Sequence, residues 1–412
     1  MQDYKFTCKD RFLKYVQYDT QSDENSTTQP STETQRDFSK KLLSELKELG
    51  IDASMDQYGY VYARIRSNTQ KDIPAIGFMA HVDTAPSAPG ANIKPIIHQN
   101  YRGGNIKLPR EGQIITTIEN PEMHDMIGHD IITSDGSTLL GADDKAGVAE
   151  IMDALEYFVS HPHVKHGEIV AAFTIDEEIG SGLKNFDMEK FGARYAYTLD
   201  GGEVGEIEPE TFNGDEMTIR IIGKMTHPGY AKDKMINSLR IASEFVNSFP
   251  KEKWSPESTE GREGFVHVNR IEGMEDSTLI KMIARDFDID KMHEYEGRIK
   301  NMLSMIIDKY PGARFELETK EQYRNMVYKV NEHPKVMEYA TEAITRVGIR
   351  PNKCAARGGT DGCILSYMGI PTPNLFAGGH NFHSKTEWVS VQDMEMTVRT
   401  IVEICKVWEE RG

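Results

Sequence analysis

An α/β sandwich interrupted by an inserted α+β unit is the fold class this 412-residue sequence predicts. Three observations point to it. Buried-looking strand segments alternate with amphipathic helical segments through residues 1–209 and again through 324–412. Between them, residues 210–323 run strand, helix, strand, strand, helix, strand, the order of a ferredoxin-like unit able to fold as its own domain. Short acidic or histidine-bearing runs also follow directly on the ends of predicted strands, at the edge where open α/β sheets place ligands.

Composition narrows the class of function. Lys and Arg total 48 against 65 Asp and Glu, a formal net charge of −17. Such a balance argues against nucleic-acid and anionic-membrane partners. No apolar run approaches the ~20 residues of a membrane span, and the opening MQDYKFTCKDRF lacks the apolar centre of a signal peptide. The expected location is the cytoplasm. Cys8, Cys354, Cys363 and Cys405 lie far apart with no CxxC pair, so free thiols are expected rather than disulfides or a zinc ribbon.

In chain order, residues 4–18 read as an amphipathic helix with Phe12, Tyr15 and Val16 on one side. Residues 21–34 are a polar loop, and 37–49 a second helix closed by Gly50. Strands follow at 58–66 and 73–80, the second apolar on both faces like a central parallel strand, and it ends in His81-Val82-Asp83-Thr84. Residues 85–138 are loop and short strand, leading into a helix over 139–159. A strand at 168–175 ends in Asp176-Glu177-Glu178, and one near 194–199 ends in Asp200. The inserted unit contributes strands 216–222, 265–270, 278–286 and 313–319 with helices 235–248 and 290–309. The first texture then resumes, with a helix at 333–347, a strand near 372–377 and a last helix over 391–409.

The chemistry centres on LLGADDKAGVAEIMDAL, residues 139–155. Val148, Ile151, Met152, Leu155 and Phe158 recur at helical spacing, so one helix face is buried. Of Asp143 and Asp144 at its start only one can cap the helix, which leaves the other free to hold a cation. His81, Glu178, Asp200 and His383 supply further hard-metal ligands. With Asp143 they make a mixed N/O set suited to zinc, cobalt or manganese. Five ligands exceed what one catalytic zinc takes and fit two divalent ions ~3.5–4 Å apart, bridged by a carboxylate. Glu177, beside Glu178, is then the spare carboxylate for general-base work, and Asp83 is placed to orient the His81 ring.

HVDT at 81–84, GADDKAG at 141–147, DEEIGSG at 176–182, the Asp200 turn and GGTDG at 358–362 resemble the M20 metallopeptidases and aminoacylases. Within that family the likeness is to aminopeptidases acting on tripeptides, and it spans almost the whole chain. It implies a zinc-exopeptidase-like α/β/α sandwich with the inserted unit as a lid. It assigns His81 and Asp200 to one ion, Glu178 and His383 to the other, and Asp143 to the bridge, with a cis peptide at Asp143-Asp144. The likeness also nominates His227 as donor to the substrate carbonyl oxygen, and Arg285 and Arg357 for the substrate carboxylate. His380 and Ser384 stand where the family pattern has an aromatic residue and Gly, which leaves the last ligand between His380 and His383; we take His383. Family likeness and exposed lid strands together predict a homodimer.

Plainer readings exist for several residues. His161, His163 and His166 read as exposed turn histidines after a helix, Asp83 as a turn cap, and Arg285 as a strand-surface ion pair. The expected function is a di-zinc exopeptidase removing the N-terminal residue of short peptides. The alternatives are a dipeptidase or N-acyl-amino-acid deacylase on the same scaffold, and a non-catalytic metal- or peptide-binding protein.

Overall fold

The computed structural model describes every residue except Gln2 and Lys251. The chain forms two compact units: 1–209 with 326–354 and 360–412, and Glu210–Asn325 with Ala355–Gly359. The expected boundaries therefore shift. The inserted unit runs two residues past 323, and it recruits 355–359 because the Phe212 amide donates to the carbonyls of Ala356 and Gly358.

The first unit is built on a mixed eight-stranded sheet. Its centre is Ile76–His81, with every residue buried, parallel to Ile169–Thr174 on one side and Tyr195–Gly201 on the other. Burial on both faces explains its unbroken apolar run. Asp52–Met55 and Val61–Ile65 extend the sheet antiparallel at one edge, and Asn374–Phe376 joins Tyr195–Gly201 in parallel toward the other. The helix Ala142–Ser160 lies on the Ile76–His81 and Tyr195–Gly201 strands, with Val391–Arg411 and Cys8–Tyr15 packed on it. Glu33–Glu48 covers the first two strands and Asp361–Tyr367 packs on Tyr195–Gly201, giving the α/β/α layering.

Residues 85–138 have a structural job. Ile96–His98 and Ile131–Thr133 pair in a small sheet with Trp388–Ser390 and Gly379–His380. Tyr101, Ile115, Met123 and Ile131 bury the Trp388 indole, which anchors the segment just after His383.

The second unit has the predicted order. Asn213–Ile222 is flanked by Ser277–Asp286 and Arg314–Tyr323, with Phe265–Gly273 outermost, all antiparallel. Helices Ser238–Asn247 and Ile289–Ile307 close its core around Ile219, Phe245, Ile280 and Leu303.

Candidate metal centre

The centre lies in the first unit, where three strand ends and one helix start converge. His81 is the last residue of its strand. Its Nδ1 lies 3.1 Å from the Asp83 carbonyl oxygen and 3.4 Å from Asp83 Oδ1. With Nδ1–H donated there, Nε2 faces Asp143 Oδ1 at 2.9 Å and Asp200 Oδ1 at 3.6 Å. The other Asp143 oxygen meets His383 Nε2 at 3.0 Å, and that nitrogen also meets Glu178 Oε2 at 2.9 Å. Asp143 thus spans the two imidazoles, with Asp200 on the His81 side and Glu178 on the His383 side.

Asp144 is also near, and a ring nitrogen of His81 with one oxygen each of Asp144 and Asp200 could surround an ion. Its oxygens are already committed, Oδ2 to the His81 amide at 3.1 Å and Oδ1 to the Gly147 amide at 3.2 Å. Asp143 and Asp144 have non-helical backbone angles, so Asp144 acts as the cap and Asp143 is the carboxylate left free. The peptide between them is cis. His380 takes no part: its ring stacks on Trp388 at 3.8 Å, and its Nδ1 lies 3.6 Å from Glu122.

A set of buried carboxylates and oxygen-facing imidazoles organises the surrounding backbone. Asp83, fully buried, accepts the amides of Glu177 (3.1 Å) and Glu178 (3.2 Å) on its two oxygens while its own backbone orients His81. The same residue thus meets both the turn amides and the His81 ring. Asp176 sits in the left-handed region at φ 54°, a conformation that costs a non-glycine residue about 1 kcal/mol. It is secured by the Ser31 amide and hydroxyl, and by a two-way pairing with Gln35. Asn374 Oδ1 accepts the Asp200 amide at 3.1 Å. The DEEIGSG and GGTDG motifs meet: a Cβ on Gly182 would collide with Asp361 Oδ1, so that glycine admits the Asp361 carboxylate.

Crowding perturbs the groups that face the centre. Burial, reinforced by the Asp143 charge, pushes Glu178 up to about 8. Burial likewise raises Asp200 to about 6 against the pull of His81. The hydrogen bonds of Asp143 and Glu178 hold His383 up at about 11. Burial works to raise Asp143, but His383 and His81 together keep it well below the usual carboxylate range. Burial, then the charges of Asp200, Asp361 and Glu178, raise Glu177 despite the opposing pull of His81. Glu178 Oε1 is buried and has no hydrogen-bond partner among the described residues. Clustered acids that repel one another, an orphaned carboxylate oxygen and two imidazole nitrogens are the donor set of divalent cations such as zinc.

The remaining predicted residues belong to the second unit. His227 is exposed, with Nδ1 accepting the Gly229 amide at 3.1 Å. Arg285 donates to the carbonyls of Ala284 and Asp215 and to Gln322 Oε1, and lies over the Tyr323 ring. Arg357 donates to the carbonyls of Gly261, Glu263 and Thr259 and to the Thr259 hydroxyl. Of the three turn histidines, His163 is exposed, but His166 is not: it is buried against Phe158, with Nδ1 2.6 Å from the Gly167 carbonyl oxygen.

Asp176, Gln35, Asn374 and Glu387 are the functional-site residues that sequence reasoning did not reach. Each acts on backbone distant in the chain; Asp176, next to Glu177, and Glu387, four residues after His383, had a positional hint.

The model of peptidase family M20/M25/M40 matches residues 136–406. This chain belongs to that family. Peptidase T of Caldanaerobacter subterraneus subsp. tengcongensis is 48% identical over 405 residues, covering 98% of this chain and 99% of that one. Peptidase T of Geobacillus kaustophilus is also 48% identical, covering 98% of each. The crystal structure of aminopeptidase PepT from Bacillus cereus superposes with a TM-score of 0.74 at 25% identity over 98% of each chain. The M20 member YXEP of Bacillus subtilis, described as a dinuclear metal-binding peptidase, shares the fold at a TM-score of 0.66 and 15% identity over 98% of each. Among the described residues no helix is long and apolar enough to cross a membrane.

Proposed function

We propose that the chain is a metallo-aminopeptidase that removes the N-terminal residue of tripeptides and holds two divalent ions, zinc by preference with cobalt or manganese as substitutes. The observation behind the two-ion reading is Asp143, whose two oxygens face two different imidazoles, each with its own further carboxylate. His81 and Asp200 would hold one ion, His383 and Glu178 the other, and Asp143 both. When bound, the pair supplies Lewis acidity toward a water and the scissile carbonyl. Glu177 takes the proton from that water and delivers it to the leaving amine nitrogen. Its raised pKa suits a group that must both accept and return a proton. Asp83 keeps this division of labour by holding the amides of Glu177 and Glu178 on separate oxygens.

We assign His227 to the substrate carbonyl oxygen: with Nδ1 accepting the Gly229 amide, its proton is on Nε2, free to donate. For the substrate's C-terminal carboxylate we favour Arg285 over Arg357. Arg357 already makes four hydrogen bonds, three of them to backbone carbonyls, whereas among the described residues Arg285 Nη2 bonds a single side-chain oxygen, that of Gln322. A guanidinium–carboxylate contact is strong and directional. Amidating a tripeptide is therefore expected to lower kcat/KM at least as much as lengthening it, and equal rates on acid and amide would exclude the clamp.

Peptidase T relatives at high identity favour this activity over dipeptidase, deacylase and non-catalytic readings. Product analysis on di-, tri- and tetrapeptides and an N-acetylated amino acid tests it, with tripeptide turnover expected to dominate. No turnover by the two-metal protein would defeat the enzymatic reading. We further propose a homodimer in the cytoplasm. The outer part of strand Phe265–Gly273 exposes Arg270, Ile271 and Glu272 along a sheet edge, and the cysteines are free. A 46.6 kDa particle in light scattering at micromolar concentration would defeat the dimer.

A further inference from the structure

We infer that Glu387 is a positioning residue that aims the bridging carboxylate of Asp143. Only 1% of Glu387 is exposed. Its Oε2 accepts the amides of Leu140 (2.7 Å) and Gly141 (2.8 Å), and its Oε1 accepts the amide of Asp143 itself (3.0 Å). Three backbone donors on one buried carboxylate is the arrangement that makes such burial tolerable. Gly141, at φ 80°, supplies the left-handed turn that points successive amides inward.

The consequence lies in where Glu387 comes from. His383 is four residues upstream, on a loop braced within itself. The Ser384 hydroxyl donates to the Asn381 carbonyl at 2.7 Å, and Asn381 Nδ2 donates to the Thr386 carbonyl at 3.2 Å. One short segment therefore presents an imidazole to Asp143 Oδ2 and grips the backbone that carries Asp143. The two groups cannot move independently. A carboxylate shared by two ions must be held within about 0.5 Å of its working position, and no other described side chain bonds the Asp143 amide. Glu387 thereby couples the two ion positions, an inference that rests on the two-ion reading above.

Glu387→Gln keeps the volume and one oxygen but sets an amide N–H₂ against at least one backbone N–H. The test titrates metal-free wild type and variant with Co2+, following the visible absorption of the bound ion, with melting of both metal-free proteins measured alongside. Wild type should take two ions. The variant should bind both at least ~10-fold more weakly with an altered spectrum, the loss typical of removing a partner of a ligand. Its kcat should fall while KM stays within about twofold. A variant that binds two Co2+ with wild-type affinity and spectrum, even if it melts earlier, makes Glu387 merely structural and overturns the inference. Wild type binding only one ion would instead overturn the two-ion reading. Should the variant not fold, hydrogen exchange on metal-free wild type decides. The amides of Leu140, Gly141 and Asp143 should be as protected as those of the following helix. Free exchange until metal is added would show that the ions, not Glu387, organise the loop.

Discussion

Glu177 and Glu178 are chemical twins whose surroundings differ. Glu178 Oε2 rests against His383, while among the described residues no imidazole pairs with Glu177, which feels burial and the surrounding charges. Glu178→Gln should therefore lower metal occupancy and lose activity through that loss. Glu177→Gln should keep both ions and the substrate affinity yet lose about 10⁴-fold in kcat, the upper end for removing a general base. Metal analysis beside steady-state kinetics separates the two. The opposite pattern, with Glu177→Gln short of a metal, would mean the two side chains trade places. Asp83→Asn tests the residue that fixes their register. Its single remaining oxygen can serve one of the two glutamate amides, and its new N–H₂ opposes the other. A drop of about 10–100-fold in activity or metal affinity is expected, and unchanged values would show that the strand end holds its shape unaided.

Elements come close here only where glycine allows it. A Cβ on Gly147 would run into the Leu199 carbonyl and stand 2.5 Å from Asp144 Oδ1, so the helix Ala142–Ser160 could not lie against the strand that carries Asp200. Gly147→Ala should cost about 1–3 kcal/mol as overpacking does, read as a lower Tm with weakened metal binding. Gly297→Ala is the control. That glycine sits exposed inside Ile289–Ile307 with nothing within 4 Å of its Cβ, so alanine should stabilise by about 0.5–1 kcal/mol. Apolar periodicity made most elements legible, including the whole inserted unit, because their burial is apolar. It failed where polar groups are buried. Glu33–Glu48 starts four residues before the expected 37 because Gln35 and Ser39 face inward, Gln35 to hold Asp176, and a polar face turned inward reads as loop. Cys8–Tyr15 begins later than residue 4 because distant Asp153 accepts the amides of Thr7 and Cys8 and fixes its first turn. The strands Asp52–Met55, Glu206–Thr211 and Asn352–Ala356 are short, half exposed and poor in large apolar residues, so no apolar alternation announces them. The residues we assign to the ions drew notice in the sequence because each lies at or just past the end of a strand or opens a helix. Asn374 and Asp176 were not, since their partners are set only by the folded sheet.

For the whole molecule, the same electrostatics link metal, pH and stability. In the metal-free protein Asp200 is raised from 3.8 to about 6, Glu178 from 4.5 to about 8, and His383 from 6.5 to about 11. A group whose folded pKa lies above its unfolded value contributes stability that is complete below the unfolded value and is lost as pH rises through the folded one. All three have that sign. Asp200 loses its contribution between about 4 and 6, Glu178 between about 4.5 and 8, and His383 from about 6.5 upward, so at least one of these windows is open throughout pH 5 to 8. Asp143 is shifted the other way, but its contribution is already complete above its unfolded value of 3.8 and does not change in that range. The metal-free protein should therefore melt at progressively lower temperature from pH 5 to pH 8. Divalent ions reverse the trend, because they replace the protons that otherwise hold the acids and imidazoles together. The rise in Tm on adding Zn2+ or Co2+ should be small near pH 5 and largest near pH 8. The large apolar core of the first unit does not depend on the ions, so chelation should abolish activity while leaving far-UV circular dichroism largely unchanged. Calorimetric scans with and without metal at pH 5, 6.5 and 8 measure all of this. A metal-free Tm that climbs between pH 5 and 8, or a metal-induced gain that shrinks over the same range, would show that these five side chains are not the ones the ions bind.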